Sequence, residues 1–324
     1  MSTPDAPLSP MAAAIAKSRT CHCQLTAADI QSGVAEIRQL DKRSERNRSR
    51  GCMMAVLGIA GVFGGFFLAG ILNMPALLLV PLGSLVLTIW SIGVSLINRK
   101  TDFENRRYEL VAKVVQLLSK DMSPDAPFDL ALNLLPQDDK SKYVRDGKAG
   151  RWNVKHYHDP WLVLEGRLLD GTKFSIHAAE KHQARSCRKR GRSGKMKFKS
   201  KSKNSSEMTL YLKVKSEKYP QLATLGESAQ GAVQIPIWAA IKSLDVTEES
   251  LNLRVTTPTA WTVEPPPLRD LSNDSGSKKP KPRSNTSAEG SELVMSMFLS
   301  LYQILNLARA ISCLLYASDA ADEG

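Results

Sequence analysis

Two long apolar stretches, separated by only three residues, constrain the fold of this chain more than any other feature. Residues 53–72 and 76–97 contain no charged side chain, and each would form a helix about 30 Å long, the thickness of the hydrocarbon core of a bilayer. The alternative is a pair of core helices in a soluble domain, but such helices seldom stay uncharged on every side over this length. The sequence therefore predicts a transmembrane helical hairpin over residues 53–97, with Pro75 near the start of the second helix.

Basic residues flank both apolar stretches and predict their orientation. Five lie between residues 42 and 50, and four lie between residues 99 and 107. Because positively charged flanks stay in the cytoplasm, we expect an integral protein of a bacterial inner or plasma membrane with both termini cytoplasmic. A row of small residues, Gly61, Gly65 and Ala69, predicts close helix packing in lipid. The packing partner is either the second helix of the hairpin or the same row in another copy, which would make a homo-oligomer.

The segments next to the hairpin have different compositions. Residues 1–24 are rich in Pro, Ala and Ser and predict a flexible tail. Residues 25–52 predict an amphipathic helix that starts at Thr26 and leads into the membrane. Residues 98–122 repeat the helical pattern after the hairpin. We expect these two helices to pack together as a cytoplasmic stalk.

From Phe128 onward the apolar period changes from helical spacing to alternation, which is typical of half-buried strands. Asp170-Gly171 separates two such runs and predicts a β-hairpin turn. Helices and strands do not alternate along this region, which argues against a parallel sheet. The sequence predicts a membrane-anchored α+β protein, with an antiparallel sandwich-like or barrel-like domain over residues 125–263 and one helix near residues 236–244.

The C-terminal part has three predicted segments. Residues 264–291 are rich in Ser, Pro, Gly and Lys, which predicts a disordered linker. Residues 292–316 predict an apolar helix, which either lies at an interface or binds a partner, or crosses the membrane a third time. Residues 317–324 are set aside as a tail that need not be native sequence.

The positive charge of the chain is concentrated in one run. The net charge is +12, and the segment from Glu180 to Glu207 supplies +9 of it, from eleven Lys/Arg and two acidic residues. The predicted anion-binding or lipid-binding residues of this run are Arg188, Lys189, Arg190, Arg192, Lys195, Lys197, Lys199, Lys201 and Lys203. In a strand, the alternating lysines would share one side, with Met196 and Phe198 on the other.

Three interpretations of the basic run remain open. It contacts anionic headgroups or an acidic protein, it is a solvated edge strand that lysines protect from aggregation, or it binds nucleic acid. Nucleic-acid binding is the least favoured, because Phe198 is the only aromatic residue in the run and single-strand binders usually offer several stacking platforms.

Residues that could bind a metal or act in catalysis form less specific patterns. His156, His158 and His177 could hold a metal, and Cys21-His22-Cys23 forms a small cluster, but neither has a complete ligand set at a persuasive spacing. Nucleophile and phosphate-loop motifs are absent from the sequence. We therefore predict no catalytic residue, metal or cofactor, and a non-enzymatic, membrane-anchored binding or scaffold protein. The alternatives are a metal-dependent enzyme that uses these histidines and a membrane-tethered nucleic-acid binder.

Overall fold

The computed structural model describes residues 8–72, 79–98, 103–190, 194–226, 229–257, 261–263 and 289–322. The chain divides into two units. We call Met1–Lys17 with Ser32–Asn105 the helical unit, and Ser18–Gln31 with Arg106–Gly324 the sheet unit. The predicted turn at residues 73–75 and most of the predicted linker lie outside the described residues.

Three helices start the chain: α1 (Pro10–Ser18), α2 (Ala27–Leu72) and α3 (Leu79–Asn98). Thr26 and Asp29 cap the start of α2, since the Thr26 hydroxyl accepts a hydrogen bond from the Asp29 amide at 3.3 Å and donates one to its carboxylate at 2.8 Å. Within the helical unit, α1 packs on α2, and the Ser9 hydroxyl donates to Glu36 at 2.7 Å.

The helices α2 and α3 approach each other through small residues. A Cβ atom added at Gly61 would come within 2.7 Å of the Ser84 hydroxyl, and one added at Gly65 would come equally close to the Pro81 ring. The side chain of the third predicted residue, Ala69, lies outside the described part. Large apolar side chains of both helices point outward and are exposed.

Two helices among the described residues are long and apolar enough to cross a membrane. The first is Ala27–Phe67 within α2. Of the residues in its most apolar 18-residue segment, 17% are buried. The second is Gly290–Ser312, and 44% of the residues in its most apolar 18-residue segment are buried. A shorter apolar helix spans Pro81–Gly93 within α3.

The sheet unit contains an antiparallel sheet of eight strands in the described part of the chain, so the protein is α+β. The strands are β1 (Thr20–Leu25), β2 (Phe128–Asn133), β3 (Tyr143–Ala149), β4 (Trp152–Arg167), β5 (Lys173–Arg190), β6 (Met196–Lys213), β7 (Ala240–Val246) and β8 (Ser250–Thr257). Their order is β1-β2-β4-β5-β6-β8-β7, and β3 pairs with β4. The described strands thus form one sheet instead of the two sheets of a sandwich.

One face of this sheet forms the core of the unit. Alternating residues of the strands on this face are buried, including Phe128, Leu130, Ile176, Leu210 and Leu253. Two helices cover this face, α4 (Asn105–Leu118) and α6 (Gly290–Asp322). Phe174 of β5 contacts Phe298 of α6 edge to face, with ring centroids 5.8 Å apart.

Several expectations differ from the structure. Residues 10–24 of the predicted flexible tail lie in α1, β1 and the residue between them, because β1 completes the sheet by pairing with β2 along its whole length. The predicted stalk is replaced by α4 packed on the sheet, with Val111 and Val115 fully buried. Two hydrogen bonds nevertheless join the segments expected to form the stalk. The Gln31 amide donates to the Ala112 carbonyl at 2.6 Å, and the Phe103 backbone amide donates to Asp41 at 3.2 Å.

The C-terminal helix also differs from its expected role. Its apolar stripe faces the chain's own sheet, and Leu293, Leu301 and Leu305 have no exposed surface. The stripe that sequence analysis assigned to an interface or a separate partner is therefore covered within the sheet unit. The helix expected near residues 236–244 is replaced by β7, while a single-turn helix α5 lies at Ala229–Ala232.

Candidate functional site

The basic run lies on a long β-hairpin made by the distal parts of β5 and β6. We define the basic hairpin as residues 181–190 and 195–203. Its register is continuous from Lys181, opposite Ser205, to Arg190, opposite Met196. Beyond Ser186 these two strands pair only with each other among the described residues, since β4 reaches only to that point. The end of the hairpin is thus a two-stranded ribbon that projects past the sheet.

The continuous register separates the cationic side chains by face. Residues directly opposite each other share a face, and alternate residues along each strand do so too. Seven cations therefore occupy one face, which we call the lysine face: Lys181, Arg185, Lys189, Lys197, Lys199, Lys201 and Lys203. The other predicted anion-binding residues are placed differently: Arg188 and Arg190 lie on the opposite face, Lys195 precedes β6, and Arg192 lies outside the described residues.

Like charges lie directly opposite each other on the lysine face. Lys189 pairs with Lys197, and Arg185 pairs with Lys201. Like charges directly opposite each other destabilise a sheet. Lys181 forms an ion pair with Glu207 at 3.3 Å, and Lys201 lies 5.8 Å from the Trp152 ring. An anionic surface placed against this face would relieve the repulsion between the opposed cations.

A second polar feature, which sequence analysis missed, is a charge cluster in the core of the sheet unit. Asp159 and Glu180 lie directly opposite each other on β4 and β5, and both are fully buried. Arg107 of α4 reaches between them and donates to Asp159 at 2.7 Å and to Glu180 at 2.8 Å. Arg106 donates to Glu180 at 2.9 Å, and the Lys142 ammonium lies 2.8 Å from Asp159.

Each member of this charge cluster is needed for the others to be buried. Two carboxylates in adjacent positions repel each other and lose hydration, so they require cations in direct contact. Burial lowers the pKa of Lys142, and the nearby Asp159 carboxylate opposes that change. The arrangement joins α4 to the centre of the sheet. Its signal in the sequence was Glu180, which continues the inward-facing series of Phe174, Ile176 and Ala178.

A hydrogen-bonded chain leads from the cluster toward the basic hairpin. The Gln137 amide donates to Glu180 at 2.6 Å, and Asn204 donates to Gln137 at 3.2 Å. Asn204 in turn bonds to His182 at 2.6 Å. His182 therefore has a polar partner on the side of the sheet that α4 covers.

The histidines proposed as metal ligands are not brought together. His158 lies opposite Lys181, and His177 is four residues from Lys181 along β5, a separation of about 13 Å. His156 lies further still, opposite Gln183. Among the residues that the structure describes, no group of three His, Cys, Asp or Glu side chains could hold a metal ion.

Ser175, His177 and Glu165 form a polar group on the β4–β5 surface. The Ser175 hydroxyl is 2.9 Å from Glu165 and 2.8 Å from His177 Nε2. The Ser175 hydroxyl donates to Glu165, the residue directly opposite it on β4.

The two thiols of β1 face the core. Cys21 and Cys23 have their Sγ atoms 2.6 Å apart. Burial, together with the neighbouring Cys23, raises the pKa of Cys21 to about 12. The Cys21 thiol is therefore protonated at neutral pH, which makes it a poor nucleophile and a poor metal ligand.

A wide trough lies beside the basic hairpin. Its volume is about 960 Å³, and its lining includes Asn153, Ser186, Ser200 and Ser202. These side chains alternate with the cations of β5 and β6, and all four are exposed or nearly so. The trough is an open part of the sheet surface that polar, charged and apolar residues line together, including Val154 and Ala184.

No known protein family, curated protein or solved structure matches this chain.

Proposed function

We propose that this chain is a non-enzymatic, membrane-anchored binding or scaffold protein whose sheet unit presents the basic hairpin to an anionic surface. The observation that supports it is the arrangement of seven cations on one face of a projecting hairpin. Anionic headgroups attract about 1 kcal/mol per nearby Lys or Arg. Contact by four of the seven would contribute about 4 kcal/mol, enough to hold a tethered unit against a surface.

Anchoring by a helical hairpin is supported by the pairing of β1 with β2. These strands lie on either side of the two apolar helices in the sequence, yet they form one antiparallel ladder from Thr20–Asn133 to Leu25–Phe128. Both flanks of the apolar helices must then lie on the same side of a membrane, which requires an even number of crossings between them. The basic flanks favour the cytoplasmic side.

Topology can be tested with protease on intact spheroplasts that contain the full-length protein. We expect the sheet unit to survive external protease and to be digested after the membrane is permeabilised. Digestion of residues 103–257 from outside would contradict the cytoplasmic assignment.

Binding can be tested by hydrogen exchange on the full-length protein in nanodiscs of phosphatidylcholine, with or without phosphatidylglycerol. We expect slower exchange in residues 185–190 and 195–203 only when phosphatidylglycerol is present, and loss of that protection at high salt. Reversal of four charges of the lysine face to Glu should abolish the effect: Lys197, Lys199, Lys201 and Lys203.

A matched control keeps the same net charge change but moves it elsewhere. It reverses four exposed lysines outside the basic hairpin: Lys140, Lys173, Lys213 and Lys215. The control should keep the protection that phosphatidylglycerol induces. Equal protection in both lipid compositions, or equal loss in both variants, would contradict the proposal.

A further inference from the structure

An apolar pocket lies at the turn between β4 and β5, at the other end of β5 from the basic hairpin. Three segments that are distant in the sequence enclose it: the end of α4, the turn itself and one side of α6. The buried side chains of Leu118, Leu168 and Phe298 line it from the core. The Leu169 amide donates to the Asp121 carbonyl at 2.9 Å, which holds the turn against the segment after α4.

The size and lining of this pocket suit a small molecule. Its volume is about 350 Å³, at the lower end of the roughly 300–1,000 Å³ that small-molecule sites occupy. Such sites are lined mainly by apolar side chains, with a few polar groups that orient the ligand. Leu169 is 71% exposed and Leu299 is 63% exposed. A ligand in the pocket would cover apolar surface of these leucines that now contacts water, which favours binding.

The polar groups of the pocket are acidic. Asp121 and Asp170 line it, and its lining includes no lysine or arginine among the residues that the structure describes. The Tyr302 hydroxyl donates to Asp170 Oδ2 at 3.1 Å. Burial and the Asp170 carboxylate raise the pKa of Tyr302 above its ordinary value, so the phenol stays protonated. The pocket therefore combines apolar walls with two carboxylates, in a chain whose net charge is +12.

This combination selects a ligand that has both a positive charge and an apolar body. The two carboxylates would repel an anion, and a neutral apolar molecule would remove their water without offering a polar partner in return. An ammonium group is attracted by carboxylates and also by the faces of aromatic rings. Phe298 and Tyr302 supply such rings in the lining of the pocket.

We propose that this pocket binds a small organic cation, an amine or quaternary ammonium ion that carries an apolar group about the size of a benzene ring. The carboxylates of Asp121 and Asp170 attract the charged end, and the leucines of the pocket contact the apolar end. This inference goes beyond the proposed function, because the pocket contains no residue of the basic hairpin and its ligand is not an anionic surface.

Binding can be measured by fluorine NMR on the full-length protein in phosphatidylcholine nanodiscs. The cationic probe is benzyltrimethylammonium with a para-trifluoromethyl group, and the neutral probe is the N,N-dimethylbenzamide with the same group, which has a similar size. Protein-free nanodiscs give the change that lipid alone causes. We expect saturable binding of the cation with a Kd below about 1 mM, and a Kd for the amide that is about tenfold or more higher.

Two variants locate the site. Leu299→Trp fills the pocket from an exposed position on α6 and should abolish saturable binding of both probes. Asp121→Asn combined with Asp170→Asn keeps the shape of the pocket and removes its charge, so it should raise the Kd of the cation about tenfold. The matched control replaces two exposed acidic residues outside the pocket, Asp125→Asn with Glu248→Gln, and should leave this Kd unchanged.

Thermal unfolding of each variant in the same nanodiscs shows whether it is folded. Equal Kd values of the cation and the amide for the wild type would overturn the proposal, and so would the absence of saturable cation binding. Cation binding that survives Leu299→Trp, or that the control pair weakens as much as the Asn pair does, would also overturn it. If the Asn pair does not fold, the comparison of the two probes and the Leu299→Trp variant decide the proposal.

Discussion

Replacing Arg107 by Met tests whether the buried charge cluster holds the sheet unit together. The substitution removes the cation between Asp159 and Glu180, which are fully buried. Breaking a buried ion pair by removing one partner costs about 3–5 kcal/mol. Asp159 would keep Lys142 at 2.8 Å, and Glu180 would keep Arg106 at 2.9 Å. Because each carboxylate retains one cation, we expect the low end of that range, about 3 kcal/mol.

Thermal unfolding of the full-length protein in detergent, followed by tryptophan fluorescence, measures this loss. Trp161 and Trp261 report on the region, since they stack at 5.9 Å and the Arg107 guanidinium lies 5.3 Å from the Trp161 ring. A loss of about 3 kcal/mol corresponds to a Tm decrease of about 6–12 °C for a unit of this size.

Arg254→Met is the matched control. Arg254 forms an ion pair with Glu207 at 3.3 Å, and its side chain is 39% exposed. Exposed pairs contribute about 0–1 kcal/mol, so this variant should lower the Tm by no more than about 4 °C. A Tm decrease in Arg107→Met that is no larger than in Arg254→Met would refute a stabilising role for the cluster.

Two further predictions concern packing and pH. Gly65→Val should weaken the contact between α2 and α3 by about 1–3 kcal/mol, because its Cβ would come within 2.7 Å of Pro81. Unfolding by SDS would measure this, and Gly64→Val, whose Cβ meets nothing within 4 Å, should change little. The second prediction concerns Glu289, whose pKa is lowered mainly by a hydrogen bond from Lys113 at 2.7 Å. Its stabilisation should be complete above about pH 4.3 and be lost as the pH falls through the lower folded-state pKa. The Tm difference between wild type and Glu289→Gln should therefore shrink on acidification, and a constant difference from pH 7 to pH 3 would contradict it.

Local patterns accounted for the features that depend on nearby residues. Alternation from Phe128 onward predicted inward-facing strand residues, and Asp170-Gly171 predicted the turn between β4 and β5, where Gly171 has a φ of +90°. The antiparallel sheet of the α+β fold is confirmed in the described residues. These features follow from backbone geometry and side-chain period, which a sequence displays directly.

Features that depend on contacts between distant segments were not predictable in the same way. Nothing local in Thr20–Leu25 shows that it pairs with β2, because its partner lies about a hundred residues later. The burial of Arg107 is equally hidden, since its two partners come from β4 and β5. For the basic hairpin, alternation in the sequence predicted that the lysines of β6 share a face. Only the register of β5 against β6, which the structure shows, places Lys181, Arg185 and Lys189 on the same face.

The pairing of β1 with β2 can form only after β2 has been synthesised. About a hundred residues separate Leu25 from its partner Phe128, and a ribosome needs about 5–20 s to add them at about 5–20 residues per second. During this interval β1 has no ladder to join, while both apolar helices leave the ribosome. If the apolar helices cross the membrane as proposed, β1 can join the sheet only after both helices have been inserted. An error in insertion would then leave the sheet unit without its first strand.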